Sequence, residues 1–252
     1  MDKKIIEQRP IVQCITNIVT VNDCANALLA VGASPTMAHH KAEVAEIQSK
    51  CNALVCNLGA TENYDAMLIA AKQAKESGHP MVIDPVGCGG SSFRRSFFNE
   101  LIDACRPAAI RGNYAEIIAL AEHAATVTGV DCNDYDKAGD IEAAALKLAQ
   151  TTGAIVIASG ITDVIASTAD DAKGQIGRID GGDIMMSRIT GTGCMFSSLL
   201  GAFLAVNCSV DSAKACCILM KQAGEKAAFA TRQCKGGNLT FRDKFIDMLY
   251  KE

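Results

Sequence analysis

Five short apolar runs punctuate the first 160 residues of the chain: 10–15 (PIVQCI), 53–58 (ALVCNL), 80–84 (PMVID), 107–111 (PAAIR) and 154–158 (AIVIA). None alternates cleanly between apolar and polar residues, as a strand with one wet face would. Each therefore reads as a strand covered on both sides. Longer segments with helical spacing lie between them. In one, Ala66, Leu68, Ile69, Ala70 and Ala74 share a face, Gly78 supplies a stop and Pro80 lies just beyond. Alternating strands and helices predict an α/β fold, a mostly parallel central sheet with helices on both faces. After residue 160 the pattern changes: ITDVIASTADDAKGQIGRID reads as a hairpin of short strands around a polar turn at a sheet edge. Helices follow at about 193–206, 211–231 and 241–250. With no Pro/Gly/Ser-rich linker, internal repeat or low-complexity tract, one domain spanning 1–252 is expected.

In sheets of this class ligands bind beyond the carboxyl ends of the strands. Asn17, Asn57, Asp84, Arg111 and Ser159 each fall at or just after one of the five runs. One polar residue at a strand end is commonly a turn former, but five at the same rim suggest a site. Composition narrows the chemistry. The net charge is -4 and no Lys/Arg cluster stands out, which argues against a nucleic-acid footprint but not against small phosphorylated ligands. The start, MDKKIIEQRP, lacks an apolar signal core, and no apolar stretch reaches the roughly 18 residues of a membrane span. A cytoplasmic protein is expected. The twelve cysteines are scattered, form no CxxC pair and mostly sit in apolar patterns, so they read as small core residues in a reducing compartment.

One cysteine stands apart. ITGTGC (189–194) places two glycines and two threonines before Cys194, which opens a long apolar run. Gly191 and Gly193 permit close backbone approach, and a following helix offers free N–H groups and a positive dipole end, so Gly191, Thr192 and Gly193 read as an anion seat. Neither GxxxxGK[ST] nor GxGxxG occurs, so no P-loop or dinucleotide fingerprint is claimed. Cys194 falls in the first turn of that helix, where the dipole is expected to favour a thiolate able to act as base or nucleophile. A Cys-His hydrolase is the rival reading, but no motif joins His39, His40, His79 or His123 to the cysteine. Two further clusters are DPVGCG (84–89) and RGNYAE (111–116). Asp84 and Glu116 offer oxygen ligands for Mg²⁺ beside substrate phosphates, and Arg111 offers a fork to phosphate oxygens. Together with the anion seat these are the parts of phosphoryl transfer.

PIVQCITN (10–17), GASPTM (32–37), DPVGCG, RGNYAEI and ITGTGC follow one another in an order that resembles the hydroxyethylthiazole kinase family of the ribokinase-like superfamily. The resemblance runs from Pro10 to about Ala205, and the cysteine after the glycine turn, where most ribokinase-like enzymes carry aspartate, is its most specific mark. It implies a ribokinase-like fold and ATP-dependent phosphorylation of the hydroxyl of 4-methyl-5-(2-hydroxyethyl)thiazole in thiamine biosynthesis or salvage. It further implies Mg²⁺ and a homotrimer with active sites between subunits. By position, Cys194 and Gly191 to Gly193 match the catalytic turn, Asn17, Met37 and Gly191 the thiazole contacts, Arg111, Asn113 and Ser159 the ATP contacts, and Asp84 and Glu116 the acidic pair near the metal. Gln13 replaces the usual histidine, Ala60 the usual threonine and Ser159 the common threonine. In addition, 236–241 lacks a proline and the turn near 170 is longer than usual. A related small-alcohol kinase acting on hydroxymethylpyrimidine or a sugar, and a catalytically silent nucleotide-binding protein, are the alternative readings.

Overall fold

The computed structural model describes residues 2–128, 138–168 and 174–250. In chain order its elements are α1 (Asp2–Gln8), β1 (Ile11–Ile15), α2 (Val21–Ala30), β2 (Ser34–Thr36), α3 (Val44–Gln48), β3 (Ala53–Asn57), α4 (Tyr64–Ser77), β4 (Met81–Asp84), α5 (Ser92–Ala104) and β5 (Ala109–Asn113). They continue with α6 (Tyr114–Thr128), α7 (Ala138–Thr152), β6 (Ile155–Ser159), β7 (Asp163–Ser167), β8 (Gln175–Ile179), α8 (Thr192–Val206), α9 (Val210–Gln233) and α10 (Asn238–Leu249). Short 3₁₀ turns lie at Thr61–Asn63 and Ile184–Arg188.

The strands form one sheet in the order β2-β1-β3-β4-β5-β6-β7-β8. The pairs from β2 to β6 are parallel, and β7 and β8 add antiparallel at one edge. All five expected strands form, and the expected hairpin is β7 and β8; its polar turn at 169–173, the longer loop noted near 170, lies outside the described residues. β2 was not foreseen. Ser34-Pro35-Thr36 is too short to show a period, and its place follows from pairing Ile11, Val12 and Gln13 of β1.

Strand residues alternate between two cores, which is why the runs showed no polar face. Val12, Cys14, Val55 and Ile157 pack with α2, α8, α9 and α10, whereas Ile15, Leu54, Cys56, Ile83 and Ile110 pack with α4, α5, α6 and α7. Helix α4 stops as read, with Gly78 in the left-handed region at φ 69°. Helix α8 is buried from Met195 to Leu204 and therefore needs no polar face. Gly201 lets it lie directly on the sheet, since a Cβ there would sit 2.7 Å from Val55 Cγ2. That contact fixes how far the start of α8 stands above the strand ends. No disulfide joins the eleven cysteines among the described residues. No helix among the described residues is long and apolar enough to cross a membrane.

Candidate active site

The polar residues at the strand ends converge. Asn57 and Asp84 close β3 and β4 and are register partners. One Asn57 amide nitrogen donates to Asp84 Oδ2 at 3.0 Å and to Cys194 Sγ at 3.2 Å, while its Oδ1 accepts from Gly59 N at 2.9 Å. Ser197, one turn into α8, donates to the same Asp84 oxygen at 2.9 Å. Asp84 Oδ1 is buried without a partner. Burial, with the nearby Glu116 charge added to it, pushes the Asp84 carboxyl up to about 6, although Arg111 opposes the shift.

Gly191 caps α8 in the left-handed region at φ 95°, where a side chain would also press on Thr20. Chain direction then turns so that the first-turn N–H groups, beyond reach of any intrahelical acceptor, face the rim. Gly193 is needed for a different reason: a Cβ there would lie 2.5 Å from Arg111 Nη1. Thr192 does not present its hydroxyl to the rim. It donates to Met186 O at 2.8 Å and ties the turn to Ile184–Arg188.

Of the two states open to Cys194, a thiolate base or a protonated thiol that orients the hydroxyl, its surroundings favour the second. A helix N-terminus favours a nearby anion by about 0.3–1 kcal/mol, less than tenfold in acidity. Burial, followed by the Asp84 charge, outweighs it and pushes the thiol up from 9.0 to about 12, with the Thr20 hydroxyl and Arg111 opposing. Cys194 is thus a neutral thiol at physiological pH. Its sulfur is fixed by Asn57, so Asn57→Ala should free the rotamer, leave Asp84 with one donor fewer and lower kcat about tenfold or more at unchanged KM for ATP. Steady-state kinetics check this.

Arg111 lies within β5, two residues before its end, and is half-buried. Its Nη2 donates to the Ser159 hydroxyl, which in turn donates to Gly112 O at 3.2 Å. Its guanidinium carbon sits 5.0 Å from the centre of the Phe196 ring, and its Nε is buried without a partner. Ser159 therefore acts on Arg111, its only proton being committed to Gly112 O. Glu116 and Asn113 form a reciprocal cap on α6: Asn113 Oδ1 accepts from Glu116 N at 2.9 Å, and Glu116 Oε2 accepts from Asn113 N at 2.8 Å. The other Glu116 oxygen holds Gly87 N at 2.9 Å and so fixes the loop after Asp84. Each Glu116 oxygen keeps a second lone pair, and Asp84 Oδ1 has no partner at all. A divalent cation fits this pair, because it would offset two adjacent buried carboxylates.

A cavity of about 660 Å³ opens beside the rim, walled by Arg111, Asn113, Ser159, Thr192, Gly193 and Phe196 together with Gly160, Ile161, Asp163, Gly181 to Ile184, Met186, Ser187, Met220 and Lys221. Asn17 and Met37 lie outside its walls. Asn17 follows β1 with its Oδ1 accepting from Val19 N at 3.1 Å and its Nδ2 close to Gly59; Met37 is half-buried against the α8 core. Gln13 is buried and donates to Ala38 O at 3.0 Å, beside Met37, and Ala60 is buried next to the Asn57 turn. Position 236–241 forms the start of α10, with Gly237 as its cap. His39 and His40 are bonded locally, and His79 faces Gln48. Among the described residues no histidine lines the cavity or bonds to Cys194; the His123 side chain lies outside them. The sequence reading missed Thr20, Ser197 and Lys221 as members of the site.

Comparison with known proteins follows the same lines. The model of the hydroxyethylthiazole kinase family matches residues 3–251. A hydroxyethylthiazole kinase of Methanobrevibacter smithii is 39% identical over 257 residues, covering 97% of this chain and 88% of that protein. The solved structure of the hydroxyethylthiazole kinase protein of Pyrococcus horikoshii superposes with a TM-score of 0.84 at 31% identity, covering 99% of this chain and 91% of that one. A ribokinase-like superfamily protein of Enterococcus faecalis shares the fold at a TM-score of 0.63 and 10% identity, covering 99% and 94%.

Proposed function

The chain belongs to the hydroxyethylthiazole kinase family, and on that premise we propose that it phosphorylates the primary hydroxyl of 4-methyl-5-(2-hydroxyethyl)thiazole with ATP, a step of thiamine biosynthesis or salvage. ATP would occupy the cavity beside Arg111, its terminal phosphate over Gly191 to Gly193, with the alcohol at Cys194. The observation that carries this assignment is the meeting of Asn57, Asp84, Arg111 and Cys194, drawn from four separate segments, with Arg111 also lining the adjoining cavity.

Phosphoryl transfer asks the protein mainly to position groups and neutralise charge. Arg111, held by Ser159 and Phe196 so that its free edge faces Gly193, would pair with phosphate oxygens, and the N–H groups at the start of α8 would take up charge on the transferred group. Asp84 and Glu116 would hold Mg²⁺, which when bound screens the phosphates. The alcohol oxygen forms a bond to the terminal phosphorus as the bond to ADP breaks. In a loose transition state the new bond lags behind, so little base strength is required. A neutral Cys194 suits that need: its sulfur accepts the alcohol O–H and aims the oxygen, and the alcohol proton passes to an oxygen of the transferred phosphoryl group as the new bond closes.

Release of ADP from the purified protein, measured with hydroxyethylthiazole, hydroxymethylpyrimidine, pyridoxal and ribose, tests the reading. Turnover is expected with the thiazole; preference for another alcohol, or silence with all four, contradicts it. Arg111→Ala should raise KM for ATP about tenfold to a hundredfold, as expected for a lost charge-assisted phosphate contact, with KM for the thiazole little changed. Asn17 and Met37, outside the nucleotide cavity, would complete the thiazole site together with a neighbouring subunit of a homotrimer. Ile18 and Val19, 80% and 64% exposed beside Asn17, offer the apolar contact. Light scattering should then give three times the 26.5 kDa chain mass, and Val19→Asp should shift it toward the monomer with loss of thiazole turnover. The same reading makes the protein a cytoplasmic enzyme.

A further inference from the structure

The cavity has two lips far apart in sequence: the Gly160-Ile161 turn between β6 and β7, and Gly181-Gly182 after β8. Helix α9 runs beneath both. Lys221 on α9 is buried, its side chain 7% exposed, and it lines the cavity. A lysine in such a place invites the reading of a phosphate ligand, but its donors are already engaged. Nζ donates to Gly160 O at 2.7 Å and to Ile161 O at 2.9 Å and pairs with Asp163 Oδ1 at 3.1 Å. An ammonium has three N–H groups, so none is left for a ligand. Asp163 Oδ1 also accepts from Gly160 N at 3.1 Å, and Tyr114 donates its hydroxyl to Thr162 O, so every peptide of this lip is held. One helical turn further along α9, Glu225 Oε1 accepts from Gly182 N at 3.0 Å. Residues four apart share a helix face, so one face of α9 grips both lips, a cation taking the carbonyls of the first and an anion the N–H of the second.

We infer that Lys221, with its partner Asp163, and Glu225 are nucleotide-positioning residues that set the spacing of the two lips of the cavity and thereby the affinity for ATP, without touching the transferred group. The inference rests on the reading of this cavity as the nucleotide site. Nothing in it requires contact with the thiazole, so the expected signature is a change confined to ATP.

The test is the dissociation constant of a fluorescent ATP analogue, read together with kcat, both KM values and the melting temperature. Glu225 is exposed, so Glu225→Ala should stay folded; losing its one hydrogen bond to the lip should weaken analogue binding about three- to tenfold at unchanged kcat and unchanged KM for the thiazole. Glu225→Gln, whose amide oxygen can still accept from Gly182 N, should bind as the wild type does. Lys221→Met combined with Asp163→Asn removes the buried charges together, avoiding an unpaired carboxylate, and should weaken binding tenfold or more. If this double variant does not fold, the Glu225 pair decides. Wild-type binding by Glu225→Ala, or equal defects in Glu225→Ala and Glu225→Gln, overturns the inference. Arg111→Ala separates the two levels: if it weakens analogue binding while the α9 variants do not, only this inference fails, whereas unchanged binding in Arg111→Ala removes the nucleotide site itself.

Discussion

Cys194→Ala should lower kcat about a hundredfold while leaving analogue binding and KM for ATP within twofold of wild type. The size follows from losing the group that aims the acceptor oxygen, since a misplacement of about 1 Å can cost 10² in rate. The selectivity follows from geometry: the sulfur touches Asn57 and faces Asp84 and Thr20, and it is not among the walls of the cavity beside Arg111. Cys194→Asp should keep turnover, because a carboxylate of similar reach can accept the same hydrogen bond. It would, however, stand beside the Asp84 carboxylate, and two close carboxylates resist ionising together. Its rate should therefore rise with pH through a midpoint above the ordinary aspartate range, whereas the wild-type thiol, pushed up to about 12, stays neutral across the same interval and contributes no such step. Comparing kcat against pH for the two proteins checks both statements. Equal rates for wild type and Cys194→Ala would take the cysteine out of the reaction.

Asp84→Asn should abolish turnover, by about 10³-fold or more, as loss of a central charge-stabilising group does, and should at the same time make the protein harder to unfold. The sign follows from linkage. The Asp84 carboxyl stands at about 6 in the folded protein against 3.8 ordinarily, so between those values the folded state binds more protons than the unfolded one. Stability attributable to this group therefore falls as pH rises from about 4 to 6, and above 6 the full cost persists. Substituting asparagine removes that cost, a gain of up to about 3 kcal/mol at pH 7.5 without divalent cations and close to none at pH 4. Thermal melts of both proteins at the two pH values measure it. Added Mg²⁺ should raise the melting temperature of the wild type and not of Asp84→Asn. A variant no more stable than wild type at pH 7.5 would mean that this carboxylate carries no such burden.

How much of this could be read from residues alone differs from element to element. The buried strands announced themselves because a run such as AIVIA has no wet face, and the strand-end rule then pointed to Asn57, Asp84 and Ser159. The β2 strand left no trace, being three residues long with Pro35 at its centre. The protonation of Cys194 could not be read from ITGTGC alone: the helix start that favours a thiolate is local, whereas the burial and the Asp84 charge that oppose it involve segments more than 100 residues away. Ser159 lies at the expected strand end and lines the cavity, and only the folded chain shows that it also holds Arg111. Lys221 and Glu225 were invisible because single charges in an amphipathic helix look alike until the loops they hold are known.

A crystal structure of the protein with hydroxyethylthiazole and a non-hydrolysable ATP analogue bound together would test the arrangement most directly. The thiazole hydroxyl should lie within hydrogen-bonding distance of Cys194 Sγ, in line with a terminal phosphate resting against Gly193 and Arg111. A nucleotide bound outside the cavity beside Arg111, or an alcohol remote from that sulfur, would contradict it.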